Sequence, residues 1–392
     1  MKRGKKILVI ITVVVALLIV GYGVIMYKLS PEMLAWSLGL SPDAFSKVEA
    51  TTSRSDVEGK KGYKILKSDA GEIISEETSF ILMPNAFYKS CKEGTVETLN
   101  YTTDVYEDGV TYNKYVRVYL PYGYDSEDKS KKYNVVYYQH GNTGSPDVLL
   151  NYSQVKKQLD YLFSTGEVEP CIVVMTTYYL FDDLKVIGND GPAGDGRWNS
   201  EIPANFYLEV TKDIIPLVET TYNTYLENPS EDAVKESRDH RAFTGYSRGA
   251  AATWYMFHYG LEYFKYFSPM SVPCMAFYGA ESLPSVDKDN SEFIEQMGKE
   301  IADIDNAEAL DFIESAIKEN EDLDYFIYVC SGNSNDGSGL RTQIDYFINN
   351  SEFLSYGTAD GNNIYYSVSE FSHNDFFVPF YYYNSLPIFF GK

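Results

Sequence analysis

The pentapeptide Gly245-Tyr246-Ser247-Arg248-Gly249 restricts the possible folds of this chain more than any other feature. It follows the apolar run RAFTGYS (241–247) and precedes AAATWYMFHYG (250–260), which reads as a helix. A serine held on a sharp strand-to-helix turn brings strand and helix so close that side chains two positions either side of it would collide. Glycine at both places removes the collision. Ala250, Ala251 and Ala252 continue the small surface, which lets the helix lie near a sheet. The alternative is an ordinary serine in a βα turn.

The flanking sequence supplies the sheet. Residues 97–106 and 112–120 alternate apolar and polar residues around Glu107-Asp108-Gly109, as an antiparallel pair does. NVVYYQ (134–139) and CIVVMTTYY (171–179) are short apolar runs of the kind that form buried strands. FYLEVTKDIIPLVETTYNTY (206–225) carries apolar residues at helical spacing. The runs 263–272, 324–332 and 363–370 extend the strand series, with helical stretches near 291–319 and 340–355. Strands alternating with helices predict an α/β chain: a mostly parallel sheet covered on both faces.

This regular pattern begins near residue 96, so the expected domain is 96–392. Before it, residues 31–95 read as a stalk or spacer, polar and aperiodic over 48–76. Residues 1–30 hold MKRGKK and then 21 uncharged, largely apolar residues, 7–27. That length spans a bilayer, and the basic flank directs the rest outward. Two readings of residues 1–30 stand, an uncleaved single-pass anchor in the cell membrane and a cleaved secretory signal. Both place the domain outside the cell. The net charge of −23 argues against nucleic acid or anionic lipid as partner. Cysteines 91, 171, 274 and 330 show no metal-binding spacing and no disulfide framework, so neither metal nor cofactor is expected. Oligomeric state is left open.

Serine is a weak nucleophile and needs a base, and the base needs an orienting acid. Four histidines are present. His140 ends a strand, where a ring braces a turn. His240 lies at the wrong end of the strand that leads to Ser247. His258 is more than two turns along the following helix. His373, in FSHNDF after the last strand, is the candidate base. The chain order Ser, acid, His agrees with this choice. Asp336, in the glycine-rich stretch SGNSNDGSG after a strand, is the candidate acid, although Asp-Gly is also an ordinary turn pair. Asp324, Asp345 and Asp375 are its rivals, the last set aside as too near His373 in sequence. For the oxyanion, the Arg248 backbone N–H is one expected donor. The other comes from HGNTGS (140–145), through Asn142 or Thr143.

Together these stretches resemble the putative esterase family of α/β-hydrolases, which includes feruloyl esterases, acetyl xylan esterases, esterase D and the mycolyltransferases. The likeness rests on VVYYQHGNTGS, DHRAFTGYSRGAAATW, FSPMS, VCSGNSNDG and SHNDF, in the family's order over about residues 110–385. It implies an α/β-hydrolase fold with Ser247, Asp336 and His373 as nucleophile, acid and base. Arg248 stands where the family often has Met, and Ala250 where it usually has Gly.

The resemblance implies a serine esterase of the feruloyl esterase type, removing feruloyl or acetyl groups from plant cell wall polysaccharide. Trp198 in NDGPAGDGRWNS (189–200) would stack on an aryl or sugar ring, with Arg197 or Asp195 bonding it; a plain surface loop is the other reading. The acidic stretch 281–323 is a candidate lid. Transfer of an acyl group to a cell-envelope acceptor is a second possibility. A third is a surface binding protein on an inactive hydrolase scaffold.

Overall fold

A computed structural model describes residues 65–67, 73–75, 80, 91–141, 144–151, 155–180, 201–276, 304–332, 338–369, 373 and 375–391. Ten strands lie among them. β1 (Ile65–Lys67) and β2 (Ile73–Ser75) form a small antiparallel pair within the segment expected as a spacer. The other eight are β3 (Thr95–Thr103), β4 (Tyr112–Leu120), β5 (Val135–Gln139), β6 (Ile172–Thr176), β7 (Arg241–Tyr246), β8 (Tyr266–Met270), β9 (Phe326–Gly332) and β10 (Ile364–Ser369). They build one sheet in the order β10-β9-β8-β7-β5-β6-β4-β3.

β3 pairs antiparallel with β4, and β4 with β6; every other pairing is parallel. The sequence explains the difference. β5, β6, β7 and β9 are buried along their whole length, as strands covered on both faces must be. β3 alternates polar and apolar residues, and as an edge strand it leaves much of its length exposed.

From β5 the chain moves outward to β6, then crosses back to β7 on the other side of β5. The carboxyl ends of β5 and β7 therefore flank the point where the winding reverses, the usual place for a site in such a sheet.

The helices cover the faces: α1 (Val155–Thr165), α2 (Glu201–Glu209), α3 (Ile215–Thr221), α4 (Arg248–Gly260), α5 (Asn306–Glu319), α6 (Ser338–Asn350) and α7 (Val378–Phe390). The helix expected over 206–225 is split. Val210–Ile214 forms a π turn in which the Ile215 N–H donates to the Val210 carbonyl. Pro216 follows at once and has no N–H to continue an α-helical ladder. Just before the turn, the buried Glu209 carboxylate accepts from Tyr101 Oη (2.5 Å), Tyr106 Oη (2.5 Å) and Lys114 Nζ (2.7 Å). This network ties β3 and β4 to α2.

α7 had no counterpart in the sequence reading. Nearly all of VPFYYYNSLPIFF is buried, so it has no polar face to give helical periodicity, and Pro379 and Pro387 lie within it. Residues 304–323, part of the expected lid, include α5, which buries Ala309, Leu310, Ile313, Ala316 and Ile317 and belongs to the core. All four cysteines are free thiols, and Cys171, Cys274 and Cys330 are buried. No helix among the described residues is long and apolar enough to cross a membrane, and residues 7–27 lie outside the described residues.

Candidate active site

Ser247 sits between β7 and α4 with φ 56° and ψ −120°. Such a backbone is rare for any residue with a Cβ and marks a strained turn held in place by its surroundings. The surroundings are visible. The Ser247 N–H donates to the Met270 carbonyl (2.9 Å), and the Ala250 N–H donates to the Ser247 carbonyl (2.8 Å). A Cβ on Gly245 would lie 2.1 Å from the Gly249 oxygen, and one on Gly249 would lie 2.1 Å from the Gln139 oxygen. The two glycines of the motif therefore permit contact between three pieces of backbone.

The next strand end is held from several sides. Beyond β8, Ser271 and Met275 have φ of 73° and 60°. Gln343 of α6 fixes this loop: its Oε1 accepts from the Cys274 N–H (2.6 Å), and its Nε2 donates to the Cys274 carbonyl (3.1 Å). From α4, Trp254 Nε1 donates to the Val272 carbonyl (3.0 Å).

His373, on the segment between β10 and α7, brings its Nε2 to 2.9 Å from Ser247 Oγ. Its ring tilts over Tyr246, with centroids 4.8 Å apart. The fold thus joins two side chains 126 positions apart in sequence. Proton transfer from the serine hydroxyl to the imidazole needs no rearrangement beyond this hydrogen bond.

The other histidines lie elsewhere. His140, fully buried at the end of β5, has Nδ1 2.7 Å from the Gly141 carbonyl and Nε2 2.7 Å from Thr177 Oγ1. A carbonyl only accepts, so the proton resides on Nδ1 and the threonine hydroxyl donates to Nε2. Burial lowers the pKa of this ring to about 4, which keeps it neutral. Tyr178 Oη donates to the same Gly141 carbonyl (3.4 Å), so the start of the HGNTGS loop is held twice. His240 stacks on Tyr225 at the amino end of the sheet, and His258 stacks on Phe312.

Arg248 opens α4, which puts its backbone N–H at the positive end of the helix dipole next to Ser247. Asn142, Thr143, Asp336, Arg197 and Trp198 lie outside the described residues. Of the rivals to Asp336, Asp324 precedes β9 at the far end of the sheet and pairs with Lys265 (2.5 Å) and Arg238 (3.3 Å). Asp345 is on α6. Asp375, set aside from the sequence as too near His373, borders the site. A Cβ placed on Gly141 would be 3.1 Å from Ser247 Cβ and 3.7 Å from Asp375 Oδ1. Among the described residues, no group of three His, Cys, Asp or Glu is placed to hold a metal ion.

A mostly parallel, doubly covered sheet with a strained serine on its central turn and an imidazole on the serine hydroxyl defines a serine hydrolase of the α/β-hydrolase fold. The chain belongs to the putative esterase family, whose model matches residues 112–373. Over 191 residues, 48% of its length, it is 34% identical to endo-1,4-beta-xylanase Y of Acetivibrio thermocellus, and it spans 15% of that protein's length. Its fold matches the feruloyl esterase module from Clostridium thermocellum, with a TM-score of 0.61, 24% identity, 81% of this chain and 95% of that one. It also matches a ferulic acid esterase from Anaeromyces mucronatus, with a TM-score of 0.50, 18% identity, 78% of this chain and 95% of that one.

Proposed function

We propose that this protein removes feruloyl or acetyl groups from plant cell wall polysaccharide by an acyl-enzyme mechanism. The observation that carries the reading is the 2.9 Å contact between Ser247 Oγ and His373 Nε2 on the strained turn. Ser247 Oγ attacks the ester carbonyl carbon while its proton passes to His373 Nε2. The oxyanion is met by the Arg248 N–H and by an N–H of Asn142 or Thr143. When the tetrahedral species collapses, the C–O bond to the alcohol breaks and His373 returns the proton to the departing oxygen. Water then repeats the sequence and frees the acid. Asp336 orients the imidazole and balances its charge.

Two points support the substrate class. A relative that shares 34% identity is a xylanase, and one of the solved structures with the same fold is a feruloyl esterase module. We further propose that residues 7–27 tether the domain to the outer face of the cell membrane, with Trp198 and Arg197 contributing to the substrate site.

A panel of methyl ferulate, acetylated xylan and short-chain aryl esters tests the reading. Turnover is expected on the feruloyl or acetyl substrates, and Ser247→Ala is expected to lower it by roughly 10⁴-fold. Activity that survives this substitution overturns the assignment. Protease treatment of intact cells that leaves the domain untouched overturns the proposed location.

A further inference from the structure

The turn that carries Ser247 is joined to the next two strand ends by a single peptide unit. The Met270 carbonyl accepts from the Ser247 N–H (2.9 Å), and the Ser271 N–H donates to the Cys330 carbonyl (2.7 Å). Both groups belong to the Met270–Ser271 peptide, which is planar, so neither can turn without the other. The unit therefore bridges the nucleophile's turn to the end of β9, beyond which the chain runs on to Asp336. Its tilt against the following loop is the φ of Ser271, 73°, a left-handed value that is costly for any residue with a Cβ. Met275, four residues on, has φ 60°.

Two left-handed residues so close together persist only where the surroundings hold them. Gln343 supplies the hold at Cys274, between them. A side-chain amide presents an acceptor and a donor side by side, as a peptide does. Gln343 uses both, on the N–H and the carbonyl of the same residue, and so stands in for a neighbouring strand. Both partners are buried. Trp254 holds the Val272 carbonyl from α4, and Val272 and Ala276 pack on Ala250, Ala251 and Tyr255 of the same helix. The loop 271–276 is thus pinned between α4, which follows the nucleophile, and α6, which begins two residues after Asp336. Gln343 acts at Cys274, three residues from the bridging peptide, so its effect on the reaction passes through the loop.

We propose that Gln343 is a positioning residue for ester cleavage: by clamping Cys274 it fixes the Met270–Ser271 peptide, and through that peptide it holds the Ser247 hydroxyl against His373. The proposal rests on the esterase reading above and deepens it. A reacting atom misplaced by about 1 Å through a distant substitution loses on the order of 100-fold in rate. The clamp therefore governs the chemical steps, which depend on the alignment of Ser247 with His373, and leaves the binding of the ester alone.

The test compares wild type, Gln343→Met and the double variant Gln343→Met/Met275→Gly on a short-chain aryl ester. Methionine keeps the volume of the side chain and makes neither hydrogen bond. In Gln343→Met, kcat and the rate of fluorophosphonate labelling at Ser247 are expected to fall by about 10- to 100-fold, with KM within about twofold of wild type. Adding Met275→Gly is expected to restore part of the lost kcat, because glycine takes φ 60° without a Cβ penalty and the loop then depends less on its clamp. Circular dichroism reports whether each variant is folded. If Gln343→Met is not, Gln343→Glu takes its place: the carboxylate still accepts from the Cys274 N–H but has no donor for the carbonyl, and a fall in kcat is again expected. Wild-type kcat in whichever variant folds, a change confined to KM, or no recovery on adding Met275→Gly overturns the proposal. A wild type that neither cleaves the ester nor takes the label at Ser247 instead refutes the esterase reading beneath it.

Discussion

Gly249 lies against the backbone of Gln139 so closely that a Cβ on it would stand 2.1 Å from the Gln139 carbonyl oxygen and 2.8 Å from that of His140. Neither neighbour is a flexible side chain. Gly249→Ala must therefore push α4 away from β5 and move Ser247 with it. The expected cost is about 3 kcal/mol of stability, in line with severe overpacking. Urea unfolding checks the cost, and loss of fluorophosphonate labelling checks the displaced serine. A variant of wild-type stability would mean that the contact is not as close as described.

Ser247 itself is held at φ 56°. Glycine adopts this conformation without a Cβ penalty, although it loses more freedom on folding. Ser247→Gly is expected to raise stability by about 1 kcal/mol while abolishing turnover. Calorimetry and an ester assay on the same sample measure both. A destabilised Ser247→Gly protein would show that the serine is not strained.

The ion pair of Glu209 with Lys114 is buried and shares its carboxylate with Tyr101 and Tyr106. Glu209→Gln leaves a buried ammonium without its counter-charge and is expected to cost about 3 kcal/mol. Tyr106→Phe removes one hydroxyl from the carboxylate and is expected to cost about 1 kcal/mol. Denaturant midpoints measure both, and a smaller effect for Glu209→Gln than for Tyr106→Phe would contradict the network.

His140 gives the fold a dependence on pH. Its pKa lies near 4 in the folded protein and near 6.5 in an unfolded chain. Between these values the unfolded chain binds a proton that the folded one refuses, so stability falls as the pH drops through this window. The loss approaches about 3 kcal/mol below pH 4. Asp375 acts in the opposite sense, because its pKa is raised on folding. The useful measurement is therefore the difference between wild type and His140→Gln across this range. Parallel stability curves for the two would refute the assignment.

Much of this was legible in the residues. Gly245 and Gly249 announced the close approach of strand and helix, and elimination among four histidines reached His373, which the fold places on the Ser247 hydroxyl. Asp375 was set aside as the acid for its nearness to His373 in sequence, and the turn into α7 places its carboxylate beside Gly141. α7 escaped notice because a helix buried on all sides has no polar stripe to give helical periodicity. The π turn at Val210–Ile214 could be suspected only from Pro216, since apolar spacing does not distinguish it from an α-helix.

The strain at Ser247 has a consequence for descent. A lineage that no longer needed ester cleavage would be one substitution from a more stable protein, because glycine relaxes the turn that the hydroxyl requires. Selection for stability alone would erase this serine.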